Sequence, residues 1–348
     1  MITISDRHTT KLSILSFAFL ASSVAQPGLA QVSLTGAGAT FPAPIYQKWF
    51  SMYQGIGNAQ INYQANGSGG GIKAVTEGTV DFGASDMPMT DEQLKEYKSK
   101  RGFGVLLFPT VLGAAVPVYN IPGVSQELSF TPEALSGIFL GKIKTWNDPA
   151  IAKANPGVKL SDAKIVVVHR SDGSGTTFCW TDYLSKISPE WSSKVGKNTS
   201  VDWPVGLGAK GNDGVAGLIK QQPGSIGYVE LIYAVKNKLP YGKVKNKAGG
   251  FIKADLASVT AAASELKNIP DDFRVSITDA SSKGAYPIST FTWLLVPSKF
   301  SDPAKGRAMV GFLKWAITDG QNYVEALSYS KLPPGFVTKE QKAISSVH

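Results

Sequence analysis

Histidine and cysteine are almost missing: His8, His169, His348 and the single Cys179 are all that 348 residues contain. Three histidines so far apart offer no zinc-ligand spacing, and one cysteine cannot close an internal disulfide. No histidine is placed to complete a Ser-His-Asp set. Gly175 is not directly followed by lysine, so the glycine-rich turn there is not a Walker A loop. Ser174 has glycine directly on both sides, which rules out the G-x-S-x-G nucleophile elbow. Beyond residue 30 no apolar run reaches the roughly 20 residues of a membrane-spanning helix. Acidic residues are also in deficit, 26 against 35 Lys and Arg, for a net charge of +9. A basic surface suits an anionic partner, but the basic residues are scattered. Their densest group, KNKLPYGKVKNK at 236–247, reads as a solvated hairpin or loop, so no nucleic-acid interface is expected.

The ends narrow the class further. Arg7 and Lys11 precede the apolar stretch LSILSFAFLASSVA, and small residues at Gly28 and Ala30 follow it, the pattern of a cleaved secretory leader over residues 1–30. No cysteine comes next, so no lipid anchor is expected at that junction. Loss of Asp6, Arg7 and Lys11 leaves 33 basic against 25 acidic residues, a net charge of +8. The mature chain is expected to be exported, and its length favours two lobes over one core.

Along that chain, short apolar runs alternate with helix-like runs, the pattern of an α/β protein. Strands are predicted at 61–65, 80–85, 105–121, 164–170 and 291–297, and helices after Pro42, Gly70, Thr131, Ser174, Gly211 and Pro303. Long apolar strands carry the chain across between lobes near 111–118 and 286–294. This gives a discontinuous first lobe, 31–112 with 286–348, enclosing a second, 113–285.

Three turns share one chemistry. GAGATFPAP at 36–44, NGSGGGIKAV at 66–75 and HRSDGSGTTF at 169–178 each place glycines and hydroxyls at the opening of a helix. The first amides of a helix have no partner inside it, and the dipole there is positive, so such an opening is an anion site. Taken singly, each turn is also explained by packing or ordinary capping, the third through Ser174 or Asp172. Together they would surround one small anion with amides and hydroxyls. DFGASD adds Ser85 and Asp86 at a strand end, and Arg170 adds a fixed positive charge. His169 reads as structural and Cys179 as a packed core thiol.

These segments, with LTGAGATFPAPIYQKWF, FPTVLGAAVPVYNIPG, LGKIKTWNDPAIAKANPG, WPVGLGAKGNDGVAG and PGSIGYVE, resemble the periplasmic phosphate-binding proteins that serve ABC-type high-affinity phosphate importers. The resemblance spans essentially the whole mature chain. It implies a two-lobed Venus-flytrap fold of type II, with mixed sheets, a hinge between lobes and the anion in the cleft. It carries the family's ligand residues onto Thr40, Phe41, Ser68 and Asp86 from one lobe, and onto Arg170, Ser174, Gly175 and Thr176 from the other. Phe41, Gly175 and Thr176 would act partly or wholly through backbone amides. Gly69 stands where a second serine is common. The implied ligand is hydrogen- or dihydrogenphosphate, the implied partners are the permease subunits of the importer, and the expected protein is a periplasmic monomer with no cofactor and no enzymatic activity. The alternatives from other classes are a phosphohydrolase-like enzyme and an extracellular surface protein reusing the same anion site.

Overall fold

Strands and helices alternate through residues 31–57 and 59–348, which the computed structural model describes; the leader expected at 1–30 lies outside them. The order begins β1 (Val32–Gly38), α1 (Ala43–Gln54), β2 (Ala59–Gln64), α2 (Ser68–Glu77), β3 (Phe82–Ser85), α3 (Asp91–Arg101) and β4 (Val105–Asn120). It continues β5 (Ser129–Phe130), α4 (Pro132–Phe139), α5 (Pro149–Ala152), β6 (Val166–Arg170), α6 (Gly175–Ile187), α7 (Pro189–Lys194), β7 (Leu207–Ala209), α8 (Gly211–Gln221) and β8 (Ser225–Glu230). After α9 (Leu231–Asn237), β9 (Lys243–Lys245), β10 (Phe251–Ile252) and α10 (Leu256–Ala263), the chain closes with β11 (Ser289–Pro297), α11 (Pro303–Ala316) and α12 (Pro334–Ala343).

Eight strands form one mixed sheet in the order β2-β1-β3-β11-β4-β8-β6-β7. At one end β1 runs parallel to β2 and β3; at the other β6 runs parallel to β7 and β8. The antiparallel strand β4 joins the halves: residues 105–114 pair with β11 and residues 115–120 with β8. Buried almost throughout, β4 reads as a continuous apolar run because both faces are covered.

Each half has its own aromatic cluster. On α1 the residues Tyr46, Trp49, Phe50 and Tyr53 fall on one buried face and meet Tyr63, Phe82, Phe312 and Trp315. In the other half Phe139, Trp191 and Tyr228 surround Trp203, and Trp180 packs on Phe139 and Tyr228. His169 stacks on the same Trp203 at 4.8 Å, and its Nδ1 lies 3.0 Å from the Arg170 carbonyl. Burial lowers the imidazole pKa, in keeping with a packing role. Cys179 is buried in α6, as expected of a core thiol.

Three sequence expectations need correction. Helix α2 starts at Ser68, three residues before the expected opening after Gly70. Its glycines lower intrinsic helicity, but a Cβ at Gly71 would come 2.6 Å from Gly38 Cα and 2.7 Å from the Ala84 carbonyl, so close packing of α2 on β1 and β3 overrides propensity. The strands β1 and β8 lie outside the apolar runs chosen as strands. In VSLTGAG glycine and hydroxyls hide the alternation, whereas SIGYVE is wholly buried. The lysine-rich run at 236–247 is not one loop. Lys236, Lys238 and Lys247 are exposed, but the segment contains the end of α9 and the strand β9, with Leu239 and Val244 buried.

Candidate functional site

The C-terminal ends of parallel strands point toward the middle of the molecule, and the chain turns from them into helices. From β1 it passes Thr40 and Phe41 into α1; from β2 it enters α2 at Ser68; from β6 it passes Arg170 into α6; from β7 it enters α8. β3 ends at Ser85 and delivers Asp86. Four helix N-termini thus converge, each with amides that its own helix leaves unused.

Contacts across the gap draw both sets of turns together. Ser68 Oγ accepts the Gly175 amide at 2.9 Å and the Asp86 amide at 3.3 Å. The Gly69 amide donates to the Gly173 carbonyl at 2.9 Å. Gly67, at φ 95°, lies so near Asp172 that a Cβ would fall 2.4 Å from Oδ2. Gly175 is equally constrained, since its Cβ would sit 2.5 Å from Asp86 Oδ2 and 2.6 Å from Ser68 Oγ. Gly69 fits the same logic: a Cβ there would meet Gly173 Cα at 3.2 Å. Glycine at position 69 lets the two turns touch.

Thr40, Phe41, Ser68, Asp86, Arg170, Ser174, Gly175 and Thr176 are all buried. Ser68, Asp86 and Gly175 make direct contact, and Thr40 joins Thr176 through Asn212. Phe41 turns its ring away to pack at Gly113 and Tyr329, so only its backbone can serve the site. Ser174 also caps α6, accepting the Thr177 amide at 3.1 Å. The capping reading and the site reading therefore describe one residue. The Gly175 amide, expected to face the cleft, is given to Ser68.

The hydroxyls share one property. Thr40, Ser68, Ser174 and Thr176 each accept at least one N–H through oxygen. A hydroxyl whose lone pairs are so engaged keeps its single proton to donate. Donors are what an anion requires.

Charge is arranged around them. Arg170, 3% exposed, forms a two-pronged pair with Asp172, Nε to Oδ1 at 2.7 Å and Nη2 to Oδ2 at 2.6 Å. Among the described residues its Nη1 has no partner, which is costly for a buried cation. Burial pushes the Asp172 carboxyl up, but the guanidinium and the Gly211 amide hold it net below its ordinary value. Asp86 is different. Burial pushes it up to about 7, against the Thr292 hydroxyl at 2.7 Å and the charge of Arg170. Glu230, with Oε2 capping α9, is likewise pushed well above its ordinary value by burial.

Asp172, Asn212, Thr292 and Tyr233, whose hydroxyl donates to the Thr40 carbonyl at 2.6 Å, were not among the expected site residues. Asp172 stood in the quoted turn, where capping explained it. Asn212 stood in the segment WPVGLGAKGNDGVAG at a predicted helix opening, where nothing marked its side chain; Thr292 and Tyr233 come from segments distant in sequence and carry no local signal.

A family model described as a PBP superfamily domain matches residues 23–320. A phosphate-binding protein PstS of Xylella fastidiosa is 46% identical over 308 residues, covering 88% of this chain and 83% of that protein. The PstS phosphate-binding protein of Pasteurella multocida is 43% identical over 334 residues, with 95% of each chain covered. Among solved structures, a high affinity periplasmic phosphate-binding protein designated PfluDING, with phosphate bound, superposes at a TM-score of 0.71. It is 21% identical, over 89% of this chain and 93% of that one, a likeness of fold. The chain belongs to the PstS family of phosphate-binding proteins, within the PBP superfamily.

Proposed function

We propose that this protein binds inorganic phosphate in the cleft between its two lobes and delivers it to an ABC importer. The observation that carries the reading is the pairing, on one set of turns, of a buried Arg170 whose Nη1 has no partner among the described residues with four buried hydroxyls whose oxygens already accept N–H bonds. Such a set offers positive charge and protons and has few acceptors, which fits a small oxyanion. The names of the PstS relatives supply the anion. Asp86 is the exception among the donors, and it suits an oxyanion that still carries a proton.

On this reading Thr40, Phe41, Ser68 and Asp86 come from a lobe of residues 31–112 and 286–348. Arg170, Ser174, Gly175 and Thr176 come from a lobe of residues 113–285. Closure about β4 and β11 replaces water around the anion by fixed donors, and the closed surface is what the permease subunits meet. The chain works in the periplasm after loss of its leader, as a monomer and as a carrier with no catalytic step.

Equilibrium dialysis of the mature protein, stripped by mild denaturation and refolding, against radiolabelled phosphate tests the proposal. Saturable uptake of one phosphate per chain is expected, with no release of product from a chromogenic phosphate ester whether or not divalent metals are added. Ester turnover would favour the phosphohydrolase, and absence of uptake would remove the carrier reading.

A further inference from the structure

Asn212, fully buried as the second residue of α8, has no polar group to spare. Its side-chain nitrogen donates to Thr40 Oγ1 at 2.9 Å and to Thr176 Oγ1 at 3.2 Å. Its backbone amide donates to Thr40 Oγ1 at 3.3 Å, and its side-chain oxygen accepts the Glu230 amide at 3.0 Å. The last bond fixes the orientation of the side chain: a backbone N–H can only donate, so the carboxamide oxygen must face Glu230 and the nitrogen must face the two threonines.

That orientation sets the polarity of both hydroxyls. Thr40 Oγ1 receives two N–H bonds and has only its proton left to offer. Thr176 Oγ1 receives one, and its proton likewise points away from Asn212. Thr40 and Thr176 come from opposite sides of the gap, at the openings of α1 and α6. One carboxamide therefore joins the two sides and turns both hydroxyls into donors.

We propose that Asn212 is a positioning residue that, without touching the anion, holds Thr40 and Thr176 as hydrogen-bond donors to it and ties their polarity to closure of the cleft. The inference rests on the phosphate reading above. A purely structural Asn212 would make different predictions. Loss of its bonds would lower stability, with little regard to whether a replacement donates or accepts.

Asn212→Asp separates the cases. Its shape is nearly unchanged and one oxygen can still accept from Glu230, but the other now accepts where the nitrogen donated. The threonine hydroxyls must then turn toward Asn212's replacement and present lone pairs to the cleft, beside an added negative charge. Isothermal titration with inorganic phosphate should show Asn212→Ala weakened about tenfold and Asn212→Asp about a hundredfold, the scale of one and two charge-assisted hydrogen bonds. In a double-mutant cycle with Thr40→Val, the Asn212→Ala loss should shrink, since its principal acceptor is gone. Should the aspartate variant fail to fold, Thr40→Ser and Thr40→Val carry the test, with binding kept by the first and lost by the second to the extent seen in Asn212→Ala. Wild-type affinity in both Asn212 variants, or strict additivity in the cycle, would overturn the inference and leave the phosphate reading intact. Failure of the wild-type protein to take up phosphate would instead remove the reading itself.

Discussion

Arg170 faces two demands at once. Asp172 takes two of its donors and fixes the plane of the guanidinium, and Nη1 remains to serve the cleft. Removal of this charge from a site that must dehydrate a dianion should weaken phosphate binding by about tenfold or more. Arg170→Lys should recover only part of the loss, because a compact ammonium cannot pair with Asp172 through a planar fork and still reach the anion. Titration calorimetry on the two variants checks the order; equal binding by wild type, Lys and Ala would place Arg170 outside the site. At this scale the site was legible through hydroxyls, glycines and one arginine in short turns. Thr292 and Tyr233 were not, because a hydroxyl on a distant strand or helix gains its role only when folding brings it within hydrogen-bond reach.

The elements follow from local rules where hydrophobic pattern and chain punctuation agree. Prolines open α1, α4 and α11, and Ser174 caps α6. The long apolar run of β4 and the aromatic face of α1 could be read directly. What stayed hidden was the glycine-bearing part, β1 and the start of α2, where backbone packs on backbone and leaves no side-chain periodicity. One element carries a buried liability. Glu340 of α12 is completely buried, and neither of its side-chain oxygens has a partner among the described residues. Burial pushes its carboxyl well above the ordinary value of 4.5, so the folded state keeps the proton after the unfolded chain has lost it. The stabilisation from that proton is complete below the ordinary value and fades as pH rises toward the folded pKa. Glu340→Gln does not titrate. Thermal unfolding across pH should therefore show the variant close to wild type in acid and progressively more stable than wild type toward alkaline pH. A difference independent of pH would mean that Glu340 is not held neutral.

Over the whole molecule, one mixed sheet passes through both halves, and the turns at its strand ends face each other across the gap. Five backbone and side-chain hydrogen bonds cross it, at Thr40, Ser68 and Gly69 on one side and Gly173, Gly175, Asn212 and Tyr233 on the other. The two-lobed arrangement was legible from the alternation of strands and helices and from the resemblance. The closeness of the turns was not, because it depends on paired glycines whose value appears only when both are in place. The central claim is that this enclosure selects an anion still bearing a proton. On the proposed reading Asp86 is the group that reads the proton: burial pushes it up to about 7, so at about pH 8 it is largely an acceptor. Phosphate can donate to it and sulfate cannot, which leaves two facing negative charges. Titration calorimetry of the stripped protein at about pH 8 should give phosphate binding undiminished by a large excess of sulfate, with Asp86→Asn narrowing the gap between the anions. Sulfate binding comparable to phosphate in wild type, or unchanged discrimination in Asp86→Asn, would contradict the account.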